Sequence, residues 1–127
     1  MLVMREEQMV IFMRQAQRQF AAALCELLQD TMIARRRIRR AEDAFEFVEA
    51  AVAAARSFPL TSNWAIANYV GLACRFGAGF AMHPLVAHIL VPGSDAGDMQ
   101  VQRLFEELSE MDWWHVRRWS DRNQDAI

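Results

Sequence analysis

The residues of this chain that could bind a zinc or iron ion through nitrogen or sulfur are three histidines and two cysteines. A zinc or iron site needs several such ligands converging from suitable spacings. His83 and His88 are five positions apart, which does not align them on one helix face, and His115 lies much further along. Cys25 and Cys74 form neither a CxxC pair nor a dense framework. We therefore expect no metal site and two reduced, buried thiols.

Nucleophilic and acid–base catalysis find no better support. A reactive Ser or Cys needs a positioned base beside it, whereas Cys74 lies in an apolar run where a small hydrophobic thiol is ordinary. The run GAGF at 77–80 lacks the preceding strand and the spacing of a phosphate loop. Glu106 and Glu107 are neighbours that point to different sides of a helix. The sequence therefore predicts a protein that is not an enzyme and binds no cofactor.

The elements that would position any functional group are all predicted to be helices. Apolar residues recur at three- and four-residue spacing through most of the chain, and no useful stretch alternates as a strand does. The segments predicted to be helical are 5–28, 38 or 41 to 56, 62–76, 84–90 and 95–108. We therefore expect an all-α fold without a sheet, a bundle of about five to six helices that spans 1–127 as a single domain.

Helix boundaries follow from a few capping residues. Thr61 or Ser62 offers a side-chain oxygen to the free amides of the third helix. Gly77 can adopt the left-handed conformation that ends a helix. Ser94 or Asp95 is predicted to cap the fifth helix in the same way as the third.

The composition favours a protein partner over nucleic acid or membrane. The hydrophobic share is 54%, above the roughly 45–50% of ordinary domains, so apolar surface is left over for a partner. The net charge of -2 differs from the positive charge that is typical of nucleic-acid-binding domains. The longest uncharged stretch, 77–92, contains Pro84 and is shorter than the roughly 20 residues of a membrane span. The apolar run at 9–13 is too short for a signal peptide, so we expect a cytoplasmic protein.

A basic cluster in the polar segment 29–40 is the main feature that could bind nucleic acid. Its members are Arg35, Arg36, Arg37, Arg39 and Arg40. Such a cluster can bind phosphates, but no aromatic or Gly-rich element is interleaved with it. Acidic residues follow at once and are expected to neutralise it through pairs such as Arg39 with Asp43.

The tail is rich in tryptophan, with three Trp in the seven positions 113–119, and we treat 109–127 as a Trp-rich C-terminal extension of the domain. Trp and Arg are the types most often found as energetic anchors of interfaces. The same rings could instead fold back to close the core, because large rings are costly to expose. The residues predicted to bind a partner are Val10, Ile11, Trp64, Trp113, Trp114, Arg117 and Trp119.

Scattered positions between residues 5 and 90 match the pattern of a known family. The matching residues near the N-terminus are Arg5, Glu7, Gln8, Met9 and Phe12. Those in the middle are Ser62, Tyr69, Phe76, Gly77, Phe80, Pro84, Ile89 and Leu90. Together they resemble small helical proteins encoded beside effector, spike-tip and adaptor-chaperone genes in bacterial type VI secretion loci. The chain departs from that pattern at Asn63, Trp64 and Ala65, where relatives carry charged residues, and it matches nothing after Leu90.

The resemblance implies a co-chaperone or co-adaptor without enzyme activity. Such a protein binds an adaptor chaperone, a toxic effector or both, and assists loading of the effector onto the secretion spike. An immunity protein that neutralises a cognate toxin is the chief alternative, because immunity proteins are also small and encoded beside toxins. A regulatory bundle that binds nucleic acid through 35–40 is a third reading, and a second copy of the chain is a further candidate partner.

Overall fold

The computed structural model describes residues 6–35 and 37–123, with side chains described for 18–35 and 37–122. These residues form six α-helices and no strand, which confirms the predicted all-α bundle. The helices are α1 (Glu6–Ala34), α2 (Ala44–Ser57), α3 (Asn63–Phe76), α4 (Pro84–Ala87), α5 (Gly97–Glu107) and α6 (Glu110–Asn123). Short 3₁₀ turns at Ala41–Asp43 and Phe80–Met82 precede α2 and α4.

The first helix is longer than the sequence indicated, because it runs to Ala34 instead of ending near residue 28. Met32 explains the difference. It lies four residues after Leu28, on the same helix face, and its side chain is completely buried. The polar residues between them therefore lie on the exposed face of the helix, while its buried apolar face continues to Met32.

The core lies where α1 and α3 pack against α2. Small side chains on α2, among them Ala44, Ala51 and Ala55, are buried and let the neighbouring helices approach closely. Val48 on α2 and Val70 on α3 are completely buried between them. Apolar burial of this kind is the main source of stability in a helical bundle.

Both predicted boundaries of α3 are confirmed. The Ser62 hydroxyl accepts a hydrogen bond from the Ala65 amide at 3.0 Å, which satisfies one of the free amides of the first turn. Gly77 ends the helix with φ of 98°, a backbone conformation that side chains with a Cβ disfavour, and its amide donates to the Ala73 carbonyl. The element that forms the floor of the site described below is thus fixed at both ends.

Helix α4 begins at Pro84 as predicted but ends at Ala87, three residues before the predicted end at Leu90. The chain leaves the helix in a tight turn, in which the amides of Ile89 and Leu90 both donate to the Val86 carbonyl. Val86 and Leu90 are completely buried, so the turn still fills the core.

The prediction that Ser94 or Asp95 caps α5 is wrong, since the helix begins at Gly97 without a side-chain cap. The Ser94 hydroxyl is used by the loop instead, because it accepts hydrogen bonds from the Ala96 amide at 3.2 Å and from Gln100 Nε2 at 2.9 Å. Asp98 anchors the start of α5 to the start of α3. Its carboxylate accepts bonds from the Thr61 amide and hydroxyl and from the Ser62 amide, at 2.7 to 3.1 Å.

The Trp-rich segment forms helix α6, which packs against α3. Ser109 starts it with a reciprocal cap, in which its hydroxyl accepts from the Asp112 amide while the Asp112 carboxylate accepts from the Ser109 amide. Val116 is completely buried and belongs to the same core as α3. Helix α6 therefore forms one wall of the surface described next.

Candidate partner-binding groove

Three neighbouring cavities on the surface of the bundle form one groove along the outer side of α3. Their volumes are about 280, 410 and 480 Å³. The first two share Leu72 and Phe105, the last two share Phe76 and Arg117, and Arg75 lines all three. We call this continuous surface the groove; α1 forms one wall, α3 the floor, and α5 with α6 the other wall.

The wall formed by α1 is apolar. Leu24, Leu27 and Leu28 line it, at the three- and four-residue spacings that place side chains on one helix face. Leu24 is buried in the core, whereas the side chain of Leu27 is 76% exposed. An exposed Leu alone is unremarkable, but Leu27 faces a cavity whose other lining residues are largely apolar.

The opposite wall is aromatic and its rings support one another. Phe105 is 45% exposed and contacts Trp64 edge-on, with 6.4 Å between ring centroids. Trp113 is partly buried and stacks on Phe76 at 5.1 Å. Trp114 is 47% exposed, with the Arg118 guanidinium 4.8 Å above its ring. These contacts hold large apolar surfaces at the edge of the groove instead of inside the core.

Gly71 lies in the middle of the floor. A Cβ placed on it would meet no atom within 4 Å, so the space above this residue is open. Its neighbours along the floor, Asn68 and Arg75, lie one helical turn away on either side. No side chain therefore covers the backbone of α3 at Gly71.

One end of the groove is basic. Arg75 from α3, Arg117 from α6 and Arg35, directly after α1, line its largest cavity together with Thr31, Ala34 and Phe76. Glu110 is the one acidic residue among the described residues that line the groove, and it does not line this cavity. Positive potential is thus concentrated beside an apolar surface.

Most of the predicted partner-binding residues come together at this groove. Trp113, Trp114 and Arg117 line it, and Trp64 supports its wall through Phe105. Trp119 is half-buried elsewhere on α6, where its ring packs edge-on against His83 at 5.3 Å. The side chains of the remaining two predicted residues, Val10 and Ile11, lie outside the described part of the chain.

Four residues that sequence reasoning did not assign to a site complete the groove: Leu27, Gly71, Arg75 and Phe105. Helical spacing placed Leu27 and Phe105 on apolar stripes, which normally face the core. Gly71 was the one signal in the sequence, since glycine is unfavourable inside a helix and usually occurs there for packing or function.

The arginines of the basic cluster at 35–40 make different contacts. Arg37 is half-buried, and its guanidinium donates to the carbonyls of Cys74 at 3.3 Å and Arg75 at 2.8 Å. Burial lowers its pKa from the ordinary value. Arg40, not Arg39 as predicted, contacts Asp43 at 3.7 Å, and it also contacts Glu42 at 3.9 Å. Arg36 lies outside the described residues.

The residues with potential chemical reactivity occupy structural positions. Both cysteines are free thiols; Cys74 is buried as predicted, whereas Cys25 is only half-buried. Burial raises the pKa of Cys74 to about 11, so its thiol is protonated at neutral pH and a poor nucleophile. His83 Nδ1 accepts a hydrogen bond from the Leu85 amide, and burial, followed by the charge of His115, lowers the pKa of His83. Its ring therefore works as a helix cap.

No group of three or more His, Cys, Asp or Glu side chains among the described residues could hold a metal ion. None of the described helices combines the length and the hydrophobicity that crossing a membrane requires.

Comparison with known proteins returns no relative: no family model, no curated protein and no solved structure matches the chain. The groove is consequently the feature of this molecule that points to function. It combines exposed aromatic rings, an open glycine and a cluster of arginines within one concave surface.

Proposed function

We propose that this chain is a non-catalytic protein-binding module that uses its groove to hold another polypeptide. In the cell it acts as a co-adaptor or co-chaperone that binds an adaptor chaperone, a toxic effector or both, and assists loading of the effector onto a type VI secretion spike. The observation that carries the binding role is the exposed aromatic wall of Phe105, Trp113 and Trp114 beside the apolar wall of α1.

Physical chemistry favours a protein ligand for such a surface. Aromatic residues and Arg are enriched where proteins bind one another, and Lys, Glu and Asp are depleted there. The groove has the first composition, with one Glu among its described lining residues. It is also open along its length, whereas a small-molecule site is usually a cavity that buries most of its ligand.

The secretion role is supported by the family resemblance of the sequence and by where the matching residues lie. Ser62 and Gly77 bound α3, and Tyr69 and Phe80 are buried with their ring centroids 5.0 Å apart. These matching positions build the scaffold. Trp64, where the chain departs from the family pattern, contacts the aromatic wall of the groove. A common scaffold with a distinct partner surface is the arrangement expected of adaptors that serve different effectors.

A cytoplasmic site of action belongs to the same proposal. Cys25 and Cys74 are both free thiols, as is usual in a reducing compartment. Adaptors must also meet their effectors before export, so the complex would form inside the producing cell.

Co-expression tests the proposed function directly. The chain, carrying an affinity tag, is produced together with each protein encoded by the genes that flank its own, and complexes are purified in 0.3 M salt to remove weak ionic contacts. We expect an adaptor or an effector to co-purify in fixed stoichiometry, and deletion of the gene to reduce effector secretion. Failure of every neighbour to co-purify would contradict the proposal. Protection of cells from the toxin by this chain alone would identify an immunity protein instead.

A further inference from the structure

Nothing in the fold itself requires a glycine at position 71, on the floor of the groove. Gly71 lies inside α3, where glycine is a weaker helix former than alanine. Its backbone is helical, and a Cβ there would meet no atom within 4 Å apart from its chain neighbours and the backbone of its own helix. Neither a positive φ nor a close internal neighbour therefore requires the missing side chain. The absence of a Cβ has a consequence only for something that approaches α3 from outside.

The length of the groove and its open floor suit a helix as that external element. Its floor from Asn68 to Arg75 and its α1 wall from Leu24 to Thr31 each extend over about 10 Å at 1.5 Å per residue, roughly two turns of helix. Packed helices have axes about 8–10 Å apart, and glycine or alanine at the contact permits the closer distances. A helix laid over Gly71 would place its side chains between Leu27 and Phe105.

The charge of the groove indicates what one end of that helix carries. Arg75 of α3, Arg117 of α6 and Arg35, in the turn that follows α1, line the same cavity. The salt bridges formed among the described residues involve Arg40 and Arg103 instead of these three. Three guanidinium groups beside an apolar surface are complementary to carboxylates that arrive with the ligand.

We propose that the groove binds an amphipathic α-helix of the partner protein, with an apolar face over Gly71 and acidic side chains at the end formed by Arg75 and Arg117. This inference rests on the proposed function and specifies the chemistry of its ligand. It also identifies Gly71 as a specificity-determining residue, because a side chain at this position would occupy the path of the bound helix.

The first test replaces Gly71 and measures affinity for the partner that co-purifies with the wild-type chain. Gly71→Leu fills the open space, so we expect the dissociation constant from isothermal titration calorimetry to rise at least about tenfold. Ala53→Leu adds the same side chain at an exposed position of α2, which does not line the groove, and is expected to change affinity less than about twofold. Thermal unfolding of both variants shows that they fold, so lost binding reports the groove.

The second test reverses charge at the basic end. Arg75→Glu combined with Arg117→Glu is expected to weaken binding roughly tenfold at low salt, because carboxylates would then face carboxylates, with a smaller loss at high salt. Arg56→Glu, at an exposed position of α2, is the matched control. Reversing an acidic residue of the partner helix to Arg should restore binding to the doubly reversed chain but weaken binding to the wild type.

The outcomes separate this inference from the function on which it rests. If no flanking gene product binds the wild-type chain, both fail. If a partner binds and neither Gly71→Leu nor the double reversal changes the affinity beyond about twofold, the function stands and the helix-in-groove inference is wrong. If the wild-type chain alone forms a dimer in sedimentation equilibrium that Gly71→Leu abolishes, a second copy occupies the groove and the partner-helix inference is likewise overturned.

Discussion

Replacement of Arg37 by Met would test how the segment between α1 and α2 is attached to the bundle. The guanidinium of Arg37 bonds the carbonyls of Cys74 and Arg75, which lie in the last turn of α3. Carbonyls there have no partner within their own helix. Met preserves the apolar length of the side chain and removes only the charge and the donors, so packing changes little.

The expected loss of stability is about 2 kcal/mol. The part-buried bond to the Cys74 carbonyl involves a charged donor, for which about 1.5 kcal/mol is a moderate value, whereas the exposed bond to the Arg75 carbonyl adds little. A cation at a helix C-terminus contributes roughly a further 0.5 kcal/mol. A loss of this size lowers the melting temperature by roughly 6–10 °C in a domain of this length.

Urea unfolding followed by tryptophan fluorescence measures the effect, and Arg56→Met provides the control. Arg56 is exposed in the last turn of α2, so the same substitution removes a cation from another helix C-terminus. We expect the control to change stability by no more than about 0.5 kcal/mol. Equal midpoints for the two variants would refute the reasoning, because the bonds to Cys74 and Arg75 would then contribute nothing beyond a general dipole effect.

Three further predictions concern Asp98, which anchors α5, and the two helical glycines Gly71 and Gly97. The folded-state pKa of Asp98 is lowered, mainly by the hydrogen bond from the Thr61 hydroxyl and then by that from the Thr61 amide. The Asp98 carboxylate therefore stabilises the fold above its unfolded pKa of about 3.9, and this contribution is lost as the pH falls through the lower folded pKa. Asp98→Ala should therefore lower the free energy of unfolding by about 1 kcal/mol at pH 7. The difference between the urea midpoints of the variant and the wild type should shrink towards pH 2, and a difference that stays constant with pH would contradict this. Gly71→Ala should raise the free energy of unfolding by about 0.5–1 kcal/mol, because alanine is the better helix former and its Cβ would meet no clash. Gly97→Ala should lower it by about 1 kcal/mol, because its Cβ would lie 3.0 Å from Leu60 Cδ2; changes of the same sign would contradict the assigned packing.

Local sequence signals predicted the fold well where they acted within one helix. Ser62 and Gly77 bound α3 as expected, because a hydroxyl before a helix and a glycine after it satisfy the same backbone needs in any protein. The cap predicted at Ser94 failed for a tertiary reason. The Ser94 hydroxyl accepts a hydrogen bond from Gln100 Nε2, and Gln100 Oε1 accepts one from the Val91 amide. These bonds hold Ser94 in the loop, so its hydroxyl does not cap the helix.

The groove was only partly predictable. Trp113, Trp114 and Arg117 could be proposed from residue type alone, since Trp and Arg are common interface anchors. Leu27 and Phe105 carry the same helical spacing as core residues, and which of these are left exposed depends on where neighbouring helices end. The convergence of Arg35, Arg75 and Arg117 is a property of packing and leaves no trace in the order of the residues.

The central claim, that the groove is where a protein partner binds, is tested most directly by hydrogen–deuterium exchange of the co-purified complex. Exchange of each amide reports local opening and shielding, so the bound surface appears as slowed exchange relative to the free chain. We predict slower exchange in 67–76 and 105–117, which form the floor and the aromatic wall, with little change in the solvent-facing side of α2. Slowed exchange confined to α2 and α4, with the groove unchanged, would contradict the claim.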